Sequence, residues 1–460
     1  MSAPVTVMKF GGTSLEDLAG FQRVAHLLRS EVTSPPIAVV SAMSGVTDAL
    51  MTSLQLARQE GVSKAARSLE VHFERHVTIA RALGPPHASR MSALIERARS
   101  EITSLLESRD SGSVSVNSDA AKQDAITAYG EMLSGQLLTL VLNELGSPAS
   151  FVDARRCIKT DDVYAKAHPL IRETTEQTRG ELEPLLAAKR LPVLGGFIGS
   201  TLNGATTTMG RGSSNYTATL VSSALNAREV QIWTDVNGVH TADPSLVKQA
   251  HTIPYLSYDE AEEMARLGAK VLHQGMFEPI KTQQIPVRIR NSRLPEADGT
   301  LVAAQTTDTS TAPAKSIKAI AHRNHLLRID VRSTPELVAN GFQRSIEAIL
   351  KKHSVRLEIV ERTADGLSLA CDEDAPVSSI VKDLQRCGAV EISHQRAIVG
   401  CVGERLRVLP KGEDRMARIL KSFDPKLEWQ QMSPIHLLTM IEASLVGALV
   451  KSLHQEIFEN

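Results

Sequence analysis

Aromatic side chains are scarce in this 460-residue sequence: Trp, Tyr and Phe together make up 3% of it. Stacking platforms for single-stranded nucleic acid are built from such residues, so their scarcity argues against that class of partner. Charge of one sign is missing as well. The 51 Lys and Arg nearly balance the 52 Asp and Glu, and no basic block suggests a polyphosphate backbone as partner. Attraction for a small anion must therefore come from a local site and not from the overall field. Cysteine is rare. Cys157, Cys371, Cys387 and Cys401 show no metal-ligand spacing, and a chain of this size needs no disulfide staples, so reduced, buried thiols are expected. The N-terminal "MSAPVTVMKF" lacks the charged lead and apolar run of a signal peptide, and no stretch of about 20 apolar residues stands out. The expectation is a cytoplasmic protein with neither nucleic acid nor membrane as partner.

The length asks for two or three domains. Val5 to Phe10 and Ile37 to Val40 read as strands with a helix-length segment between them, the rhythm of a parallel sheet covered by helices. Residues 52 to 110 read as long helices outside that sheet. Strands resume at "PASFVDA", "LPVLGGFIG" and "VQIWTDV", and Asn237-Gly238 after the last is a tight-turn signal. Residues 306–316, "TTDTSTAPAKS", are polar and almost free of large apolar side chains, as a linker is. They divide the chain into 1–305 and 317–460. Past them the strand "HLLRIDV" leads to a helix opening at "STPE", with Phe342, Ile346, Ile349 and Leu350 on one face. "RLEIVE", "LSLACD", "AVEIS", "AIVGCVG" and "HLLTMIE" read as further strands. A closing helix carries Leu445, Leu449, Leu453 and Ile457 at steps of four. The pattern is βαββαβ used about twice, an α+β tail of two small modules.

Two glycine stretches carry the chemistry. In "KFGGTS", Gly11 and Gly12 bring backbone N–H groups to the end of a strand, where successive N–H groups form an anion nest. Lys9 adds a positive charge, and Thr13 and Ser14 add hydroxyls. The spacing fits neither the P-loop nor G-x-G-x-x-G, and alone the stretch is equally an ordinary strand-to-helix turn. A second nest, "TTTMGRGSSNYTA", sets Gly210 and Gly212 around Arg211 ahead of a helix start that favours anions. Two such clusters suggest a ligand with two anionic ends, or two anionic ligands. Between them stand Ser41, Ser44, Gly45 and Thr47 of "VSAMSGVT". Glu131 of "YGEMLS" reads alone as a solvated helix-start carboxylate, and Asp235 of "WTDVNG" as a turn former.

Taken in order, "KFGGTS", "YGEMLS", "FIGSTLNGATTTMGRGSSNYTA", "WTDVNGVHTADP" and "DEAEEMARLGAKVLH" resemble the successive signatures of the aspartate kinase family, and the two-module tail is similar to that family's regulatory ACT pair. The resemblance implies an α/β fold: a three-layer α/β/α amino acid kinase domain followed by an α+β, ferredoxin-like tandem ACT region. It implies ATP and Mg²⁺ as cofactors, L-aspartate as substrate, transfer of a phosphoryl group to its side-chain carboxylate, a small amino-acid effector at the ACT modules and a homodimer. That carboxylate is already ionised near pH 7 and needs no base. Alignment and charge neutralisation are what the transfer requires. By position, Lys9, Gly11 and Gly12 would hold the transferred phosphate and Lys270 the nucleotide phosphates. Ser14, Thr234, Asp235 and His240 belong to the ATP end. Arg211, with Ser41 and Thr47, would grip an aspartate carboxylate, Glu131 would pair with its ammonium, and Ser214 and Asn215 lie beside them. The metal has no assigned protein ligand beyond an acid at the nucleotide end and is carried mainly by ATP.

Five positions depart from the family's pattern. Ser213 replaces a glycine, where a positive φ would strain it. Asn215 replaces an aspartate, His240 a tyrosine, Ser245 an arginine and Gln274 a proline. Loss of the two nucleotide contacts, at 240 and 245, would weaken ATP binding by roughly ten- to a hundredfold. An aspartate kinase with altered kinetics is the leading reading; a kinase for another acidic amino acid, or a weakened regulatory or scaffold subunit, are the alternatives. In the tail, Arg356, Glu358, Glu361 and Arg362 stand where small residues would line an effector pocket, which suggests weak or absent lysine inhibition.

Overall fold

The computed structural model describes residues 5–30, 35–108, 116–269, 271–304, 317–333, 342–353, 357–362, 366–404, 406 and 413–459. Lys270, Arg356, the 306–316 stretch and the Thr334-Pro335 helix start lie outside the described residues. Two compact units emerge. The first comprises Met1–Val239, Pro254–Tyr258 and Val271–Gln305; the second comprises His240–Ile253, Asp259–Lys270 and Thr306–Asn460. The second unit thus takes in two segments that precede residues 306–316 in sequence.

The first unit is built on strands β1 (Thr6–Phe10), β2 (Ile37–Val40), β3 (Ala149–Val152), β4 (Lys159–Thr160), β5 (Leu191–Gly195), β6 (Ile198–Thr201), β7 (Thr206–Thr208), β8 (Glu229–Thr234), β9 (Tyr255–Ser257), β10 (Val287–Asn291) and β11 (Thr300–Ala303). Eight of them form one sheet in the order β3-β5-β2-β1-β8-β10-β11-β9. The pairings are parallel except that between β10 and β11. The apolar run Ile37–Val40 is buried along its whole length, as a parallel strand covered on both faces must be. Helices α1 (Leu18–Arg29), α2 (Val46–Glu60), α3 (Val62–Ala82), α4 (Pro85–Glu107), α5 (Val116–Thr127) and α6 (Tyr129–Glu144) come before β3. Residues of α1 to α6 share one apolar core with β1, β2 and β5, so the expected helices of residues 52 to 110 have a definite partner. Later helices of this unit are α7 (Ala154–Cys157), α8 (Ile171–Ala187) and α9 (Ser214–Leu225), while all of α10 (Tyr258–Arg266) but its first residue belongs to the second unit.

Two sequence expectations are corrected in this unit. "LPVLGGFIG" is two strands, not one: β5 joins the large sheet, and β6 pairs with β4 and β7 in a separate three-stranded sheet. The chain also contains an apolar run that the reading of composition passed over. Residues Asp119–Glu144, covering α5 and α6, are long and apolar enough to cross a membrane, yet 83% of the apolar window is buried inside the protein. That burial is the mark of a core helix, whose apolar side chains face protein on every side.

The second unit holds strands β12 (Ile317–Arg332), β13 (Glu358–Arg362), β14 (Gly366–Asp372), β15 (Ala389–Gly403), β16 (Gln431–Met432) and β17 (His436–Glu442). They make a single sheet in the order β13-β14-β12-β15-β17-β16. "AVEIS" and "AIVGCVG" are therefore not separate strands: β15 runs through both, opposite an equally continuous β12. The pairing shifts register between Arg323 and Arg328, and His325 (φ 59°) and Gln395 (φ 53°) adopt the left-handed region there. Those irregular, polar residues interrupt the apolar alternation and explain why the sequence reads as two strands. The two-module pattern survives as two cores. Leu327, Ile329 and Val331 of β12 pack with Phe342, Ile346 and Ile380, while Ile317 and Ile320 of the same strand pack with Leu437, Leu449 and Leu453. The closing helix is shorter than its periodicity suggests. It spans Val446–His454, with Leu445 in a preceding 3-10 turn and Ile457 in a following π turn.

The charges that stand out on β13 are neutralised in pairs. Glu358 meets Arg266 at 3.2 Å and Arg323 at 3.3 Å, and Glu361 meets Arg328 at 3.3 Å. All four cysteines are buried and unpaired.

Candidate active site

The carboxyl ends of parallel strands β1, β2, β5, β8 and β10 converge on one rim of the large sheet, the position where open α/β sheets bind ligands. Lys9 lies in β1 opposite Ile232 of β8 and Val39 of β2, so its side chain rises from the middle of the sheet. The N–H of Gly11 donates to Trp233 O at 3.1 Å, and the Lys9 Nζ lies 3.7 Å from where a Gly11 Cβ would stand. Gly12 is a glycine for a definite reason: a Cβ there would sit 2.7 Å from Ala42 O, so only a bare backbone lets the first nest touch the loop after β2. Ser14 is buried, and its hydroxyl shares a 2.8 Å hydrogen bond with that of Ser292.

Glu131 departs from its solvated reading. It sits in the first turn of α6, only 3% exposed, and its Oε2 has no hydrogen-bond partner among the described residues. Burial pushes its carboxyl up to about 8, against the Ala42 amide and the nearby Lys9 ammonium, which both favour the ionised form. The same burial pulls Lys9 down to about 8, opposed by Glu131. A carboxylate taken out of water with one oxygen unsatisfied is costly unless it is paired with a cation.

Around Glu131 the neighbouring polar groups are linked to one another. Gly195 lies against Glu131, and Gly196 lies against Ser214. The Ser41 hydroxyl donates to Ser214 Oγ at 3.2 Å, and Ser134 holds Ser41 O at 2.7 Å. Asn215 is buried, donating through Nδ2 to Val271 O at 3.1 Å while its Oδ1 has no partner among the described residues. The feared strain at Ser213 is absent. Its φ is −71°, whereas Gly212 carries φ 82°, and a Cβ on Gly212 would meet the His273 ring at 2.9 Å. The nest spends its glycine one residue earlier. Asp124 fixes the strand that leads into it, accepting from the N–H of Thr208 at 2.8 Å and from its hydroxyl at 2.6 Å.

Arg211 is placed differently from the other predicted residues. It is exposed, and its Nη2 pairs with Asp48 Oδ1 at 2.6 Å, one residue beyond Thr47 in the first turn of α2. At the opposite end, the Thr234 hydroxyl donates to Asp235 Oδ1 at 3.1 Å. Sequence reasoning missed the residues that hold this end together. Asn291 donates to Asp235 O and Asn237 Oδ1; Ser292 donates to Thr234 O through both its N–H (2.8 Å) and its hydroxyl (3.2 Å); Arg293 pairs with Glu16 at 2.7 Å. "VRIRNSR" carries no glycine or motif spacing, and only its position at the end of β10 would have revealed it. His240 and Ser245 belong to the second unit. His240 forms an isolated bridge with Thr252, and the exposed Ser245 donates its N–H (2.9 Å) and hydroxyl (2.7 Å) to Asp243 Oδ1.

Fold and site together point to a class: an α/β phosphotransferase whose donors sit at a parallel-sheet rim beside a buried acid. Comparison with known proteins narrows it. The Amino acid kinase family pattern matches residues 4–291. The chain is 30% identical, over 99% of its own length and of the relative's, to the lysine-sensitive aspartokinase 3 of Escherichia coli (strain K12). The crystal structure of E. coli aspartokinase III with aspartate and ADP, in its R-state, is similar over 99% of this chain and 100% of that one, at 29% identity and a TM-score of 0.86. The lysine- and aspartate-bound T-state matches with a TM-score of 0.76 at the same identity. The chain belongs to the amino acid kinase family, among the aspartokinases. Its activity is the ATP-dependent phosphorylation of the side-chain carboxylate of L-aspartate.

Proposed function

We propose that the two nests divide this reaction between them. The first nest, with Lys9, Gly11 and Gly12, holds the transferred phosphoryl group, and the Thr234–Asp235 corner with Ser14 serves the nucleotide. Glu131 takes the substrate ammonium, and Arg211, moving from Asp48, takes a substrate carboxylate beside Ser41, Thr47, Ser214 and Asn215. The observation that carries this division is the buried, half-satisfied Glu131 beside Lys9. A substrate ammonium supplies the missing partner of the acid, and anionic phosphate favours the protonated form of the lysine, which burial disfavours.

The nucleophilic carboxylate arrives ionised, so these residues align and neutralise; none has to remove a proton. Magnesium fits the donor set, since Mg²⁺ is characteristically held by one or two carboxylates plus substrate phosphates, and Asp235 is the carboxylate at the nucleotide end. When bound, the ion neutralises charge on the phosphates. Lys270 is assigned to the nucleotide phosphates by resemblance. His240 and Ser245 leave the ATP end with fewer contacts than the family pattern supplies; Ser245 already satisfies its hydrogen bonds on Asp243. A homodimer pairing through the tail, a small amino-acid effector there with weak or absent lysine inhibition, and a cytoplasmic location complete the proposal. The ion pairs made by Glu358 and Glu361 support the altered effector response.

Hydroxylamine trapping of acyl phosphate, with ATP, Mg²⁺ and a panel of acidic amino acids, tests the division. Aspartate-dependent hydroxamate that disappears in Lys9→Ala is expected. Signal with another acid alone, or full activity in Lys9→Ala, would overturn it.

A further inference from the structure

The two loops that carry the reacting ends lie side by side, and one side chain from a different element reaches both. Arg75, half-buried on α3, donates through Nη1 to Ser44 O at 2.9 Å and through Nη2 to Glu16 O at 3.1 Å. Ser44 belongs to the Ser41–Thr47 loop, and Glu16 closes the turn that begins at Gly11. We propose that Arg75 is a positioning residue: its guanidinium clamps the phosphate-binding loop to the amino-acid-binding loop and sets the distance between donor and acceptor. This rests on the assignment of the two loops made above.

Three observations favour a clamp over an incidental surface contact. Both acceptors are backbone carbonyls, so the contact fixes the path of each loop and not merely a side chain. The guanidinium offers several N–H donors in a rigid plane, which lets one group hold two carbonyls in a fixed relation; an ammonium on a flexible stem holds one point. The loops already touch at Gly12, whose missing Cβ admits Ala42 O, and the Ser41 N–H donates to Phe10 O at 3.0 Å at their roots, so the clamp adds a tie farther out along both loops. Glu16 is held a second time through its carboxylate by Arg293, which joins the clamp to the nucleotide corner at the end of β10. Phosphoryl transfer depends on alignment above all else. Displacement of reacting groups by about 1 Å costs on the order of a hundredfold in rate.

The test uses the full-length chain as wild type, Arg75→Met and Arg75→Lys, with Glu74→Gln as a control on the exposed face of the same helix. Amide hydrogen exchange across residues 11–16 and 41–47 should quicken together in Arg75→Met while α3 keeps its protection. The value of kcat should fall about 10- to 100-fold, with KM for ATP and aspartate moving by less than about threefold. Arg75→Lys should recover part of kcat, and Glu74→Gln should behave as wild type. Unchanged exchange in both loops, or loosened loops with wild-type kcat, would overturn the proposal. If Arg75→Met does not fold, Arg75→Lys decides it, because wild-type exchange and kcat with a single-point donor contradict a clamp. A wild-type enzyme silent toward aspartate would refute the functional reading, while the exchange experiment would still confirm or refute the clamp.

Discussion

The two glycine nests of the first unit look alike in sequence and differ in structure. Around the first, Gly11 donates to Trp233, Ser14 shares a hydrogen bond with Ser292, and Lys9 lies beside Glu131. Around the second, the backbone is fixed by Gly212 against His273, but its cation is exposed and rests on an equally exposed Asp48. On the assignment proposed above, the phosphate end is built in advance. The amino-acid end keeps its arginine on a surface ion pair, a contact that typically contributes only about 0–1 kcal/mol and is easily exchanged for a substrate carboxylate.

Breaking the built end should have the largest effect. Lys9→Ala removes the charge aimed at the moving phosphoryl group, and kcat should drop by about a thousandfold, the scale seen when one preorganised donor is deleted; steady-state kinetics with a circular-dichroism check of folding measures this. Next comes Glu131→Gln, which should raise KM for aspartate by roughly 10- to 100-fold through loss of a charge-assisted contact. The same variant should be more heat-stable than wild type at pH 8 but not at pH 5. The sign follows from proton binding: with Glu131 raised from 4.5 to about 8, the native state holds a proton that the unfolded chain has released, so wild-type stability falls as pH rises through that window. Melting temperatures at the two pH values measure it. Arg211→Ala should raise KM for aspartate by about tenfold with the melting temperature unchanged, since the side chain is exposed and packs into no core. Asp48→Asn should lower that KM by no more than about threefold, because it removes only a weak surface partner. A larger gain from Asp48→Asn than loss from Arg211→Ala would dissolve the contrast between the nests.

Much of this was legible in the residues. The strand "IAVV" announced its burial on both faces, the glycine pairs announced close backbone approach, and the order of signatures gave the family. Three kinds of information were not. Burial of Glu131 depends on Gly195 of β5 packing against α6, a contact 64 positions distant that no local pattern carries. The fusion of two short strands into β15 was hidden because a bulge interrupts alternation just as a turn does. Ser292 and Arg75 were invisible because they act through backbone carbonyls and a hydroxyl, and no residue type or spacing marks such partners.

The pH dependence of kcat/KM for aspartate tests the central claim most directly, since it reports ionisations of the free enzyme. A buried Glu131 that must ionise and a buried Lys9 that must stay protonated, both near 8, predict a narrow bell whose acid limb vanishes in Glu131→Gln. A profile flat across that range in the wild type, or an acid limb that persists in Glu131→Gln, would contradict the account.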